Sequence, residues 1–264
     1  MQSDSNILQV KNLSKSFGGL KAISDCSLKI KKGSITGIIG PNGSGKTTLF
    51  NLISGNLKSS QGTVLFNNED ITNIPSYELF SKGVLRTFQI AHEFTNLTVL
   101  ENLMMVPGGQ SGEKLVNALF KPTLVKKEEI KVKEKALKVI DFLNLKHLSN
   151  ELAGNLSGGQ KKLLELGRTM MVDAKLVLLD EVGAGVNRTL LKDIGSAILR
   201  LNKEQGNTFC MIEHDMEFIS RLCNPVIVLS EGSVLFEGTP DQVKKNEKVI
   251  DSYLGRGLKS KDNN

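Results

Sequence analysis

The sequence lacks the long apolar runs that membrane-spanning proteins require. Its apolar runs, such as residues 176–179 and 225–229, are far shorter than the roughly 18 residues of a membrane-spanning helix. The first ten residues carry no basic stretch followed by an apolar one. We therefore expect neither a membrane span nor a secretory signal, and a chain that stays in the cytoplasm.

Cysteine and arginine are both scarce. Cys26, Cys210 and Cys223 are odd in number and form no C-x-x-C pair, which indicates reduced core thiols rather than disulfides or a zinc site. The formal net charge of +6 is carried mainly by lysine, since only six of the 34 basic residues are arginine. Lysines spread along a chain are typical of a solvated surface, so we expect no nucleic acid partner.

Segments with strand-like and helix-like patterns alternate along the 264 residues. Alternating or continuous apolar residues predict strands at 7–17, 23–30, 34–40, 62–66, 176–179 and 207–212, and a hairpin at 226–236. Helical spacing and caps predict helices at 47–57, 78–83, 126–145 and 157–172, and a terminal helix opened by Thr239 and Pro240. This order predicts an α/β fold with a mainly parallel, helix-covered core sheet, a strand-rich N-terminus and a helical middle.

A glycine-rich string follows the third predicted strand and precedes a predicted helix. It satisfies G-x-x-x-x-G-K-[ST] in full, with Gly40, Pro41, Asn42, Gly43, Ser44, Gly45, Lys46 and Thr47. The glycines let successive N–H groups point at one anion, Lys46 can reach terminal phosphates, and Thr47 can ligate Mg²⁺. A structural turn would explain the glycines but not lysine and threonine at this offset, so we predict a nucleotide site.

Two carboxylates end the apolar strand at 176–179. Asp180 and Glu181 would lie at the edge where ligands gather in α/β sheets. There Asp180 can hold Mg²⁺ through its water shell, and Glu181 can polarise the water that attacks the γ-phosphate. Without the glycine-rich loop the pair would be interpreted as a helix cap.

A third string precedes an amphipathic helix and reads Leu156, Ser157, Gly158, Gly159, Gln160. Ser157 is a natural N-cap, and the two glycines permit close approach of the backbone. A capped helix explains the serine alone. The whole string resembles a second phosphate-facing helix start. Two such elements in one chain are economical if the second serves the nucleotide of a partner chain.

In order and separation, the strings at 40–47, 156–160 and 176–181 resemble the Walker A, signature and Walker B motifs of the ABC-transporter ATPases. The resemblance covers residues 7–255. It implies a P-loop NTPase fold with an N-terminal antiparallel β-subdomain and an inserted helical subdomain at about 90–170. From its own residues, the tail at 256–264 is expected to be disordered.

The resemblance also implies roles that no local pattern assigns. Phe17 matches the aromatic residue that stacks on adenine, Gln89 the glutamine at the junction with the membrane subunit, and His214 the histidine that contacts the γ-phosphate. The implied catalytic residues are Lys46, Gln89, Glu181 and His214, and the implied metal ligands are Thr47, Gln89 and Asp180. The implied ATP-binding residues are Phe17, the eight loop residues 40–47, Thr48, Ser157, Gly158, Gly159 and Gln160.

The implied partners follow from the same family. Two homologous ATPase subunits would clasp two ATP molecules head to tail, each held by the loop of one protomer and by the signature residues of the other. The dimer would dock peripherally on polytopic permeases at the cytoplasmic face of the inner membrane, through residues 90–102, with a substrate-binding protein as an indirect partner. Val182 and Asn187 depart from the proline and aspartate that are usual in the family.

Finer strings at 83–89, 97–103, 212–216 and 238–255, with a helical insertion at 108–127, resemble the ATP-binding subunits of branched-chain amino acid importers. Urea and short-chain amide importers share much of this pattern, and lipopolysaccharide exporters share less of it. Soluble ABC ATPases of repair or translation would need a coiled-coil insertion or a second ATPase domain, for which the chain is too short. A silent regulatory module would lack Lys46, Asp180 or Glu181, so we predict an active, transport-coupled ATPase.

Overall fold

The structure is a computed structural model that describes residues 6–87, 93–172 and 174–259. The chain divides into two compact units. Among the described residues, the first unit comprises 6–86, 175–183 and 198–259, and the second comprises 87, 93–172, 174 and 184–197. No helix in these ranges is long and apolar enough to cross a membrane.

Ten strands lie in the described residues of the first unit. They are β1 (Asn6–Phe17), β2 (Leu20–Lys31), β3 (Ile35–Ile39), β4 (Gln61–Phe66), β5 (Glu69–Asp70), β6 (Val84–Arg86), β7 (Leu176–Asp180), β8 (Thr208–Ile212), β9 (Val226–Ser230) and β10 (Ser233–Gly238). A four-stranded antiparallel sheet has the order β2-β1-β4-β5, and a six-stranded sheet has the order β10-β9-β3-β8-β7-β6.

Ten α-helices complete the described part of the chain. They are α1 (Lys46–Ile53), α2 (Ser76–Lys82), α3 (Val99–Met104), α4 (Leu115–Phe120), α5 (Pro122–Phe142), α6 (Gly158–Met170), α7 (Arg188–Gln205), α8 (Met216–Leu222), α9 (Pro240–Lys245) and α10 (Glu247–Lys259). The second unit contains α3 to α6 and the first part of α7.

The six-stranded sheet confirms the predicted parallel core. All of its pairings are parallel except that of β9 with β10, which is the predicted hairpin. Every residue of β3, β7 and β8 is buried, as expected for parallel strands covered on both faces. Within the first unit, apolar side chains from both sheets and from α1 form one cluster.

Several helices differ from their predicted bounds: the helix predicted at 126–145 is α5, Pro122–Phe142, and the first and the terminal predicted helices differ for visible reasons. The first ends at Ile53 rather than near residue 57, because Gly55 has a φ of +72° that stops the helix after Ser54. The terminal helix begins after Thr239 as predicted, but it is two helices. Asn246 has an extended conformation, and its Oδ1 accepts a hydrogen bond from the backbone N–H of Val249, which starts α10. Residues 256–259 form the last turn of α10, and 260–264 lie outside the described residues.

The three cysteines are free thiols in the interior of the first unit. Burial raises the pKa of Cys26 and of Cys223 to about 12, and it also raises the pKa of Cys210. The prediction of reduced core thiols is therefore confirmed.

Candidate functional site

Three neighbouring strands end at one edge of the six-stranded sheet. Strand β8 lies between β3 and β7, and the three strands are parallel. Ile212 of β8 is paired with Ile38 of β3 on one side and with Asp180 of β7 on the other. Their carboxyl ends lead into the glycine-rich loop, into His214, and into Glu181. The parallel topology therefore gathers the predicted loop, carboxylates and histidine in the first unit, where ligands bind in open α/β sheets.

The glycine-rich loop requires glycine at its first position. Gly40 has a φ of +154°, and a Cβ there would lie 2.2 Å from the backbone oxygen of Leu229. The loop turns back with a hydrogen bond of 3.1 Å from the N–H of Ser44 to the oxygen of Pro41. The buried hydroxyl of Ser44 has no hydrogen-bond partner among the described residues. An unsatisfied hydroxyl beside the start of α1 fits an anionic ligand.

Lys46 contacts the loop that precedes it. Its side chain is 7% exposed, and its Nζ donates to the backbone oxygens of Gly40 at 2.8 Å and Pro41 at 3.2 Å. The ammonium group thus lies against the loop whose N–H groups would surround a phosphate. Thr47 is exposed on the first turn of α1 and Thr48 is half-buried.

The two carboxylates that end β7 have different surroundings. Asp180 is 4% exposed, and its Oδ2 accepts a 2.7 Å hydrogen bond from Nη2 of Arg86. Glu181 is half-buried with a φ of +49°, a conformation that non-glycine residues adopt rarely and mainly at constrained sites. Its Oε1 lies 3.0 Å from Nε2 of the exposed His214. The second carboxylate can therefore contact a ligand together with the histidine.

The sequence reasoning missed Glu213, the residue before His214. Its side chain is 5% exposed, and its Oε1 accepts a 2.8 Å hydrogen bond from the N–H of Gly183. Burial raises the pKa of Glu213, against the effect of the hydrogen bond from Gly183. This carboxyl group connects the end of β8 to the segment that follows Glu181. Only its position beside the histidine could have indicated it.

Phe17 ends β1 as an exposed aromatic ring. It is 46% exposed, and Nζ of Lys15 lies 5.2 Å from the centre of its ring. An exposed ring with a cation nearby can stack on a planar ligand such as a base.

Tyr253 of α10 was also missed. Burial raises the pKa of Tyr253, and the nearby backbone of Gly40 opposes part of that shift. The C-terminal helix therefore places a tyrosine near the first residue of the glycine-rich loop. No local pattern identifies this placement, because more than two hundred positions separate the two residues in the sequence.

The signature residues lie in the second unit, at the start of α6. Ser157 is the N-cap and forms a capping box with Gln160: its Oγ accepts from the N–H of Gln160, and the Gln160 side chain accepts from the N–H of Ser157. The predicted cap is confirmed. A Cβ on Gly158 would meet only the oxygen of Gly185 at 4.0 Å, whereas a Cβ on Gly159 would lie 1.9 Å from Cδ2 of Leu190.

One of the two departures from the family pattern has a local explanation. Asn187 Oδ1 accepts a 2.9 Å hydrogen bond from the N–H of Leu190, which is the capping that an aspartate would provide for α7. Val182 is 5% exposed, so its side chain is buried where the family usually has proline.

Gln89, predicted as a catalytic residue and metal ligand, lies outside the described residues. The described ranges contain no cluster of three or more His, Cys, Asp or Glu side chains able to hold a metal ion. The remaining predicted ligands are the hydroxyl of Thr47 and the carboxylate of Asp180. Oxygen donors of this kind suit Mg²⁺, which usually keeps several waters and needs few protein ligands.

The site consists of a buried parallel strand that leads through a glycine-rich loop into a helix, beside a strand that ends in carboxylates. This arrangement defines a P-loop nucleotide-binding protein. A family model described as "ABC transporter" matches residues 23–184. A second model, described as "Branched-chain amino acid ATP-binding cassette transporter", matches residues 233–259. The chain therefore belongs to the ABC transporter ATP-binding family; it is an ATPase, and its family binds nucleotide.

Curated relatives extend the match to nearly the whole chain. A probable branched-chain amino acid transport ATP-binding protein of Archaeoglobus fulgidus is 44% identical over 249 residues, which cover 94% of this chain and 95% of the relative. A protein of the same description from Methanocaldococcus jannaschii is 42% identical over 259 residues, which cover 97% and 100%.

Solved structures agree with this assignment. The ADP conformation of an ATP-binding cassette from an ABC transporter is similar with a TM-score of 0.80 and 41% identity, covering 95% of this chain and 99% of that chain. A dimeric post-hydrolysis state of an ATP-binding cassette, bound to ADP and Pi, has a TM-score of 0.72 and 25% identity, covering 88% and 98%. The predicted fold class is confirmed.

Proposed function

We propose that this chain is the ATP-hydrolysing subunit of an importer for branched-chain amino acids. The main support for this substrate class is the match of residues 233–259 to a family model of that name. The phosphate-binding loop does not distinguish substrates, because it is common to many transporters. The curated relatives with the same description support it over nearly the full length of the chain.

In this proposal the first unit binds ATP and Mg²⁺. The loop backbone and Lys46 bind the phosphates, and the ring of Phe17 stacks on the adenine. Thr47 and Asp180 would hold Mg²⁺, with Gln89 as a further ligand. When bound, Mg²⁺ neutralises charge on the phosphate oxygens.

Hydrolysis breaks the bond between the γ-phosphorus of ATP and the oxygen that bridges it to the β-phosphate. That oxygen leaves with ADP. Water attacks the phosphorus, and the carboxylate of Glu181 accepts a proton from that water. His214 lies 3.0 Å from Glu181 and contacts the γ-phosphate, and Lys46 stabilises the charge on the phosphate oxygens. The proton-accepting and charge-stabilising roles thus fall on different side chains.

The second nucleotide contact comes from a homologous subunit. Ser157, Gly158, Gly159 and Gln160 lie at the start of α6, where backbone N–H groups and the helix dipole favour an anion. A γ-phosphate held by both subunits gives ATP a higher affinity for the closed dimer, and hydrolysis removes that difference. ATP would therefore close the dimer and its hydrolysis would open it.

Gly158→Ala is expected to weaken ATP-dependent dimerisation by at least about 30-fold, which corresponds to the roughly 2 kcal/mol of an interface hot spot. Its melting temperature should not change, because the new Cβ enters open space within the subunit. Sedimentation velocity with Mg²⁺ and ATP, in a hydrolysis-blocked background, measures the effect.

Gly159→Ala is the matched control. Its Cβ would overlap Leu190, so overpacking should lower stability by about 1–3 kcal/mol whether or not a dimer forms. Normal dimerisation of the Gly158 variant would contradict the placement of this helix start on a partner's nucleotide.

We further propose that the dimer docks peripherally on polytopic permeases at the cytoplasmic face of the membrane, and that a substrate-binding protein delivers the substrate to those permeases. Proteoliposomes that contain polytopic permeases in complex with this chain, with ATP inside and the binding protein outside, test the whole assignment. We expect ATP-dependent uptake of radiolabelled leucine, isoleucine and valine, and none with Lys46→Ala. Uptake of urea or a short-chain amide instead would overturn the substrate class.

A further inference from the structure

Arg86 lies at the end of β6, next to the proposed magnesium site. It pairs in register with Leu178 of β7, so its side chain reaches the residue that ends that strand. Nη2 of Arg86 donates to Oδ2 of Asp180 at 2.7 Å, and the two side chains are only 8% and 5% exposed. A buried ion pair requires good geometry and additional hydrogen bonds to offset the cost of desolvating both charges.

Those additional hydrogen bonds come from the helix that follows the glycine-rich loop. Nη1 of Arg86 donates to Oδ1 of Asn51 and, at 3.3 Å, to Oγ of Ser54 at the end of α1. The guanidinium carbon lies 5.8 Å from the centre of the Phe50 ring. One planar group therefore connects α1, which begins with Lys46 and Thr47, to the carboxylate of Asp180.

The chemistry of arginine suits this position. Its nitrogens diverge in a fixed plane, so one nitrogen can donate to Asp180 while the other donates to Asn51 and Ser54. A lysine would keep the charge but could not make both contacts with the same geometry. Partners that orient a metal-binding carboxylate commonly determine metal affinity.

We propose that Arg86 is a positioning residue of the magnesium site. It fixes the carboxylate of Asp180 in relation to α1, so that Asp180 and Thr47 present their oxygens to one ion. This inference rests on the proposed magnesium roles of Asp180 and Thr47. Arg86 should therefore affect only the nucleotide affinity that depends on Mg²⁺. It should not affect the affinity that the loop and Lys46 provide in the absence of Mg²⁺.

The test compares Arg86→Lys with the wild-type chain. Binding of mant-ATP is measured by fluorescence in EDTA and across a Mg²⁺ titration, and ATP hydrolysis is measured across the same titration. We expect the half-saturating Mg²⁺ concentration to rise by about 10- to 100-fold, with unchanged affinity in EDTA. Arg200→Lys is the matched control, because Arg200 forms an exposed pair with Glu204 on α7.

A second variant covers the case in which Arg86→Lys does not fold. Asn51→Ala keeps the ion pair but removes one of the bonds that orient the guanidinium group, so the half-saturating Mg²⁺ concentration should rise by a smaller factor. An unchanged Mg²⁺ titration in a folded variant would overturn the inference, as would an equal loss of affinity in EDTA. Wild-type hydrolysis that does not depend on Mg²⁺ would instead overturn the proposed metal site itself.

Discussion

Glu181→Gln is expected to bind ATP normally and to hydrolyse it about 10²- to 10⁴-fold more slowly. Glutamine has the shape of glutamate but cannot accept a proton from the attacking water. Glu181 has a φ of +49°, and its side chain lies 3.0 Å from His214. Because glutamine has the same shape, the substitution should keep the side chain in this position and change mainly its chemistry. Single-turnover hydrolysis with radiolabelled ATP measures the chemical step directly.

The control for this prediction is Glu204→Gln, which makes the same change at an exposed position of α7. It should leave both hydrolysis and affinity unchanged. The Glu181 variant should also form a long-lived dimer with Mg²⁺ and ATP, because the ligand that closes the dimer is no longer consumed. Turnover close to that of the wild type would remove Glu181 from the role of base.

The central part of the site could be predicted from sequence because its chemistry is local. Lys46 and Thr47 have fixed offsets from the glycines, and Asp180 ends a strand whose apolar run is visible in the sequence. Once the strands are taken as parallel, their carboxyl ends must lie at one edge of the sheet. The prediction of Ser157 as a cap succeeded for the same reason, because a capping box involves residues three positions apart.

The contacts of Arg86 and the placement of Tyr253 could not be predicted, because their neighbours in the fold are remote in sequence. Arg86 belongs to a three-residue strand with no recognisable periodicity, and its partner Asp180 is 94 positions away. Tyr253 of α10 likewise lies near Gly40, more than two hundred positions away. Such pairings depend on strand order and helix packing, which the residue pattern does not determine.

Lys46→Ala is expected to weaken ATP binding by about 10- to 150-fold, which corresponds to the roughly 1.5–3 kcal/mol of a hydrogen bond to a charged group. Alanine removes the ammonium group that would contact the terminal phosphates. It also removes the two hydrogen bonds from Nζ to the backbone oxygens of Gly40 and Pro41. Mant-ATP titration and calorimetry with unmodified ATP measure the loss.

Lys82→Ala is the control, since it deletes a lysine that pairs with Glu69 away from the loop. AMP provides a second comparison. Its affinity should fall much less than that of ATP, because it lacks the phosphates that Lys46 would contact. An equal loss for both nucleotides would mean that the lysine acts only by supporting the loop through Gly40 and Pro41. Normal ATP affinity would mean that residues 40–47 do not form the phosphate site, and the assignments of Asp180 and Arg86 would fail with it.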